Sequence, residues 1–135
     1  MMVNLNNRDA FYDLVDRIFD KSQAYKDFFE NSKTMNVVIG REGRFLYVNK
    51  SWEKILGFSK EELCAVPFTT FIHPDDVKRT LDIYNREVEG KPSKGKMITN
   101  RYIKKDGSYQ KMRWISSSES KEKEYWLATA VPVSE

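Results

Sequence analysis

The residues that could carry out chemistry are few and lie close together in the chain. His73, the only histidine among 135 residues, opens the sequence His73-Pro74-Asp75-Asp76, and Cys64, the only cysteine, lies just upstream. A histidine beside two carboxylates is the kind of group that serves as a general acid or base, or that binds a divalent metal. A lone cysteine excludes an internal disulfide and a cysteine-rich metal site.

The same four residues also fit the start of a helix, and we favour that interpretation. Proline at the first helical position loses no hydrogen bond, and the two carboxylates complement the positive end of the helix dipole. We expect His73 to stand at the helix start, with Asp76 as its reciprocal capping partner. The chain also lacks the glycine-rich phosphate loops and the His-Glu-x-x-His zinc motif. We therefore predict no catalytic residue, no metal site and no enzymatic activity.

Two apolar runs just before this segment predict a β-hairpin. Residues 37–39 end at Gly40, and residues 45–48 end at Asn49, with a short glycine-containing loop between them. Asn49 is expected to cap a short helix through its side-chain oxygen, and Gly57 is expected to end that helix. The helix is expected to bury one stripe at i, i+3 and i+4 spacing. The stripe consists of Trp52, Ile55 and Leu56.

Composition limits the class of protein. The chain is long enough for one domain with one core, since apolar residues make up 40% and aromatic residues 13%. The net charge of +3 is spread over interspersed acidic and basic residues, which argues against a nucleic-acid interface. No apolar run approaches the roughly 20 residues that span a bilayer. The N-terminus lacks a signal peptide's apolar core, so we expect a cytoplasmic location and no membrane contact by this segment.

Residues 8–31 predict an amphipathic flanking helix, which Ser22 is expected to break or bend. Its apolar stripe continues at Tyr25, Phe28 and Phe29. Such an apolar stripe must be buried against another surface, which is either the outer face of the domain's own sheet or the same helix of a second chain. The candidates for a dimer interface are Phe11, Leu14, Val15, Ile18 and Phe19.

The remaining patterns predict short helical turns at 60–63 and 68–72, a longer helix from Pro74 to about Gly90, and three strands. The strands are expected at 96–104, 109–117 and 125–131, and Asp106-Gly107 is a strong hairpin signal between the first two. Two early strands, helices and three late strands predict an α+β fold. Its five-stranded antiparallel sheet would carry the short helices and one longer helix on one face.

The ordered set of these motifs resembles the PAS family. The residues that carry the resemblance are Glu42-Gly43-Arg44, Val48-Asn49, Gly57-Phe58-Ser59, Glu61-Glu62-Leu63, His73-Pro74-Asp75-Asp76 and Lys105-Asp106-Gly107-Ser108-Tyr109. The resemblance covers residues 32–135 and leaves 1–31 as the flanking helix. It implies a non-catalytic sensory or regulatory domain that acts as a homodimer through the flanking helix and the sheet face. The same family occurs in bacterial histidine kinases and cyclic-dinucleotide enzymes, so the resemblance also implies an output domain or partner protein.

The resemblance further implies which cofactors to expect. Light-sensing members bond a flavin through a cysteine where this chain has Phe68, and they hold the flavin ring with Asn and Gln side chains. Here those positions carry Tyr102, Met112 and Ala130. Haem-binding members use a histidine of the long helix, and residues 74–90 contain none. Flavin and haem are therefore disfavoured, although an unusual haem ligand such as Met97 or Met112 stays open.

What remains is an apolar and aromatic interior, either a pocket for a small molecule or a filled core. Strand alternation and the family register turn the candidate residues inward. These candidates are Trp52, Leu56, Phe71, Leu81, Tyr84, Ile98, Asn100, Tyr102, Met112, Trp114, Ser116, Trp126, Ala128 and Ala130. Two functions follow: a sensor that relays occupancy of the interior or a change in its dimer contacts, or a ligand-free module that joins protein partners.

Overall fold

A five-stranded antiparallel sheet organises the molecule. The computed structural model describes residues 17–19, 22–91, 98–119 and 124–134, with backbone only for 116–119. The strands run in the spatial order β2-β1-β5-β4-β3. Their bounds are β1 Met35–Gly40, β2 Phe45–Val48, β3 Thr99–Ile103, β4 Tyr109–Glu119 and β5 Tyr125–Pro132. The predicted α+β class, the antiparallel sheet and both hairpins are thereby confirmed.

Most helices of the described residues lie between β2 and β3, and one further helix with described bounds precedes the sheet. Their bounds are α1 Gln23–Asn31, α2 Lys50–Leu56, α3 Lys60–Ala65, a single 3₁₀ turn Phe68–Phe71, and α4 Pro74–Val88. Ser59 caps α3 in a complete capping box with Glu62. Gly57 ends α2 in the left-handed conformation, with φ of 89°. The positive φ favours glycine there, and an added Cβ would also lie 3.2 Å from the Cβ of Lys105, a tight contact.

The start of α4 confirms one predicted cap and corrects another. His73 stands at the N-cap position, where its Nδ1 accepts a hydrogen bond from the backbone N–H of Asp75 at 3.1 Å. Asp76, however, does not return the bond to His73. Its buried carboxylate instead accepts three bonds from Arg101 of β3, one from the backbone N–H and two from the guanidinium. The carboxylate therefore joins α4 to the sheet across the fold, which a local capping pattern could not reveal.

The sheet separates two apolar clusters. The inner cluster lies between the sheet and the helices α2 to α4, and it contains the largest buried side chains, among them Trp52 and Tyr102. The outer cluster lies on the opposite face, and its buried members among the described residues are Ile18, Phe19, Phe29, Val38 and Tyr47. Alternation along β1 explains the division, because Val37 belongs to the inner cluster and Val38 to the outer one.

The flanking helix is interrupted, as predicted, at Ser22. Ser22 caps α1 by accepting a hydrogen bond from the backbone N–H of Tyr25. Ile18 and Phe19, two of the predicted dimer-interface residues, are buried in the outer cluster of their own chain. The other three, Phe11, Leu14 and Val15, lie outside the described residues. Only part of the predicted apolar stripe is buried, because Phe29 is buried whereas Phe28 is 74% exposed.

Candidate functional site

The inner cluster is built around contacting aromatic rings. The ring of Trp52, on α2, lies edge-to-face with those of Phe45 and Tyr102, at centroid distances of 5.0 and 5.5 Å. Trp114, on β4, approaches the same indole at 6.0 Å. Phe68, from the 3₁₀ turn, stacks on Phe45 at 5.7 Å and so links the group to Tyr84. Offset and edge-to-face contacts of this kind add stabilisation beyond that of area burial alone.

The structure brings together most of the residues that the sequence predicted for a pocket. The members of the inner cluster itself are Trp52, Leu56, Phe71, Tyr102, Met112, Ala128 and Ala130. Leu81, Tyr84 and Trp114 pack against that cluster from its edge. Asn100 and Trp126 are buried as well, while Ile98 is only partly buried and lies just before β3 rather than within it.

A bulge in β4 breaks the alternation that predicted Ser116 as a neighbour of Trp114. The pairing of β4 with β5 shifts register between Trp114 and Ser116. As a result Ser116 pairs with Thr129, and Ser117 takes the position opposite Ala128. Since the side chains of residues paired directly across a ladder share one face, the inward register position beyond the bulge belongs to residue 117. The extra residue at the bulge is what strict two-residue alternation could not anticipate.

One predicted polar group of the interior is already engaged within the protein. The Trp114 indole N–H donates to the Asn100 Oδ1 at 2.9 Å. The Asn100 Nδ2 in turn donates to the Thr80 hydroxyl at 3.3 Å, and that hydroxyl donates to the Asp76 carbonyl at 2.8 Å. This chain of bonds joins β4, β3 and α4. Asn100 therefore fixes the wall of the interior.

Two buried indole groups, by contrast, have no acceptor among the described residues. The Nε1 atoms of Trp52 and Trp126 are both inaccessible to solvent and without a hydrogen-bond partner there. A buried N–H without a partner costs about 1–3 kcal/mol. Trp126 lies 6.0 Å from the ring of Tyr84, whose own hydroxyl is satisfied by donating to the Gly40 carbonyl at 2.6 Å. The interior thus presents two donors and a surrounding aromatic surface.

Phe45 and Phe68 complete the interior, and the sequence did not identify either as a wall. Phe45 lies within a continuous apolar run, in which alternation cannot show which side chains face inward. The pairing of β1 with β2 also shifts register between Val38 and Ile39, which the sequence does not reveal. Phe68 stands where the flavin-bonding members of the resembled family carry a cysteine, and its ring is buried between Phe45 and Tyr84. The ring of Phe68 therefore fills that position.

The buried ionisable groups near this cluster are held in their neutral forms. Burial raises the pKa of the Cys64 thiol to about 12, so a thiolate nucleophile is not available at neutral pH. Burial likewise raises the pKa of the Tyr102 phenol far above its ordinary value. No group of three or more His, Cys, Asp or Glu side chains that could hold a metal ion occurs in the described part of the chain.

Asn49, predicted as a cap, has a different role. Its side chain makes no capping bond to α2. Its Oδ1 accepts from the backbone N–H of Asn36 at 3.0 Å, and its Nδ2 donates to the carbonyls of Phe29 and Thr34, both at 2.9 Å. The nearby Ser51 hydroxyl donates to the Ser32 carbonyl at 2.8 Å. The first turn of α2, which also carries Trp52, is therefore bonded directly to the end of α1.

Comparisons with known proteins agree with this architecture. Residues 45–129 match the family model described as the PAS fold. A probable diguanylate cyclase of Escherichia coli (strain K12), DgcE, is 27% identical over 90 residues, which is 67% of this chain but only 8% of that protein. The chain thus spans a small part of its curated relative.

Solved structures give the same result. A PAS domain from Desulfitobacterium hafniense has a TM-score of 0.65 at 24% identity, covering 79% of this chain and 99% of that one. A domain of a sensor histidine kinase/response regulator from Geobacter sulfurreducens has a TM-score of 0.67 at 18% identity, covering 83% and 95%. Among the described residues, no helix has the length and apolar character needed to cross a bilayer. The matched family model extends over more than half of the sequence, and the chain belongs to the PAS fold family.

Proposed function

We propose that this chain is a non-catalytic sensory domain of a signal-transduction protein, and that a compact neutral molecule bound in the inner cluster is what it senses. The observation that supports this is the pair of buried indole N–H groups, on Trp52 and Trp126, that lack an acceptor in the described protein. A ligand that carries a carbonyl or similar oxygen would supply one. The sequence-based expectation that neither flavin nor haem is the ligand stays part of the proposal.

The surroundings of Trp52 favour a neutral and planar ligand. The rings that contact its indole belong to Phe45, Tyr102 and Trp114, which offer stacking surfaces. A charged group placed among such rings would lose its hydration without gaining a counter-charge, and that loss is costly. The shortest side chains of the cluster, those of Ala128 and Ala130, both belong to β5.

The first turn of α2 connects the interior to the flanking helix, so a displacement caused by the ligand would be transmitted through it. Trp52 would contact the ligand, while Asn49 and Ser51 of the same turn bind the carbonyls of Phe29 and Ser32. A small displacement of this turn on ligand binding would therefore move the end of α1. The ligand shifts the position of α1 only to the extent that it binds one arrangement better than the other.

The first test is native mass spectrometry of the purified protein, followed by melting measurements with matched small molecules. Nicotinamide, a neutral ring with an amide oxygen, is expected to raise the melting temperature more than nicotinate, its charged counterpart. Trp52→Phe removes the donor but keeps an aromatic ring, and it is expected to weaken binding about tenfold. A native mass without additional ligand, together with melting that stays unchanged across a neutral metabolite library, would contradict the proposal.

Trp114→Phe is the matched control for this experiment. Its indole N–H already has an acceptor in Asn100, so the substitution removes a structural bond and not a free donor. We expect it to lower the basal melting temperature while leaving the ligand-induced increase in place. If Trp114→Phe and Trp52→Phe reduce the ligand-induced increase equally, Trp52 has no special role.

A ligand-free dimerisation module is the second candidate, and the exposure of Phe28 favours it. Phe28 is 74% exposed, and Tyr25, one helical turn earlier, is 45% exposed although its ring contacts Phe19, so part of the apolar face of α1 is open to solvent. Phe28→Glu is then expected to convert a dimer into a monomer in sedimentation velocity experiments. Asn85→Glu, which adds the same charge on the exposed side of α4, serves as the control. An unchanged mass in Phe28→Glu would exclude this face as the interface.

A further inference from the structure

A second polar group, formed by Glu30, Tyr47 and Lys60, lies on the opposite side of the sheet from the aromatic interior. The Tyr47 hydroxyl donates to the Oε2 atom of Glu30, and the Lys60 ammonium lies 3.8 Å from the same oxygen. The Glu30 side chain is only 15% exposed, and its other oxygen, Oε1, has no partner among the described residues. Within the described residues, this largely buried carboxylate is therefore bonded through one oxygen only.

The three residues come from three different elements. Glu30 belongs to the last turn of α1, Tyr47 to β2, and Lys60 is the first residue of α3. The Lys60 ammonium also lies 4.2 Å above the centre of the Tyr47 ring, in a cation–π contact. Burial, and then the hydrogen bond to Glu30, raise the pKa of the Tyr47 phenol far above its ordinary value, so the hydroxyl remains a donor at neutral pH.

The contact of Glu30 with Tyr47 and Lys60 is stable only while its bonds offset the hydration that the carboxylate has lost. A carboxylate that leaves water needs donors for both oxygens, and here one oxygen receives none from the described protein. Among the described residues, the Tyr47 hydroxyl and the Lys60 ammonium are the groups that compensate for the loss of hydration. If either contact weakens, the Glu30 carboxylate becomes more stable in water than in the fold. Because Glu30 lies in the last turn of α1, its exposure to water requires the end of α1 to move away from the sheet.

We propose that Glu30, Tyr47 and Lys60 form a latch that holds α1 on the outer face of the sheet, and that its opening releases α1. The apolar contacts of α1 meet at the same point, because Phe29 packs 5.9 Å from the Tyr47 ring. The latch therefore couples the flanking helix to both β2 and α3. The proposal does not depend on an interior ligand, since every group in it lies outside the inner cluster.

Amide hydrogen exchange of residues 23–31 in the full chain tests the latch. Tyr47→Phe removes the hydroxyl and leaves the Glu30 carboxylate without that donor. Exchange in α1 is then expected to accelerate about tenfold or more, since hydrogen bonds to charged groups are among the stronger ones. Adding Glu30→Met to Tyr47→Phe should return the exchange rate towards that of the wild type, because an apolar side chain of similar length needs no donor.

Tyr109→Phe provides the control, because it removes a tyrosine hydroxyl from β4, away from α1, and it is expected to leave the exchange of α1 unchanged. Amides of the inner cluster, such as those of β5, report on general unfolding and should exchange at the wild-type rate in every variant. Unchanged exchange of α1 in Tyr47→Phe would overturn the proposal. So would a double variant that exchanges as fast as Tyr47→Phe alone, because the carboxylate would then not be the cause.

Discussion

Replacing Asp76 by alanine is expected to lower the free energy of unfolding by about 1.5–3 kcal/mol, the scale of hydrogen bonds to a charged group, because the Arg101 side chain that remains is 35% exposed and can regain water. Asp76 is 4% exposed, and its two carboxylate oxygens accept three bonds from Arg101 at 2.8 to 2.9 Å. The substitution removes the carboxylate that accepts from the backbone N–H and the guanidinium of Arg101. Urea denaturation followed by tryptophan fluorescence measures the loss.

The neighbouring Asp75 supplies a matched control for this prediction. Asp75 is exposed and lies in the same first turn of α4, so Asp75→Ala removes an equal charge from nearly the same place. Its loss is expected to cost less than about 1 kcal/mol, the scale of a helix-dipole interaction at the surface. Equal losses in the two variants would show that the helix start, and not the bridge to β3, is what Asp76 stabilises.

The pH dependence of stability gives a second readout for Asp76. Its hydrogen bonds from the Arg101 guanidinium, together with the backbone bond and the nearby charges, hold the pKa of the carboxyl below its ordinary value. A depressed pKa in the folded state means that the stabilisation is complete above the unfolded value, about 3.9, and is lost as the pH falls below it. The stability difference between the wild type and Asp76→Asn should therefore shrink as the solution is acidified through that range.

Substituting Asn49 by alanine is the second change with a large expected effect, a loss of about 2–5 kcal/mol. Asn49 is fully buried, and its amide is the partner of the Asn36 N–H and the Thr34 carbonyl, whereas the Phe29 carbonyl, which it also bonds, keeps a second bond from the Asn36 Nδ2 at 3.0 Å. Each buried backbone group left without a partner costs about 1–3 kcal/mol. Exchange of the α1 amides and the midpoint of urea denaturation should both report the change.

Asn49→Asp distinguishes this role from helix capping. Aspartate is among the best N-cap residues, so a capping role would be preserved. Aspartate cannot, however, donate to the Phe29 and Thr34 carbonyls, and its charge would lie against them. We expect Asn49→Asp to destabilise the protein at least as much as Asn49→Ala. A variant with near wild-type stability would restore the capping interpretation.

The elements themselves were largely predictable, because their signals are local. The hairpin around Gly40, the capping box at Ser59, the glycine stop at Gly57 and the helix start at Pro74 all depend on conformational preferences of a few neighbouring residues. The break of the flanking helix at Ser22 has the same origin. These preferences act within one turn of chain, so they are readable without knowledge of the fold.

The partners of the polar side chains were not predictable in the same way. Asn49 and Asp76 both carry local capping signals, yet their side chains bind groups of another element, the Phe29 carbonyl and Arg101. Burial decides between the two outcomes, because a buried amide or carboxylate that has lost its water is stabilised by bonding whichever partners lie nearby, even in another element. The bulge at Ile115, which moved the inward position from Ser116 to Ser117, is likewise a product of pairing with β5.

The sequence alone therefore determined the family, the order of the elements and the aromatic character of the interior, since all three follow from types and spacings along the chain. Only the tertiary structure decided which donors remain unpaired at Trp52 and Trp126, and that Glu30 meets Tyr47 and Lys60. Hydrogen bonds across a fold depend on distances between residues far apart in sequence, and the conformational preferences of neighbouring residues do not specify those distances.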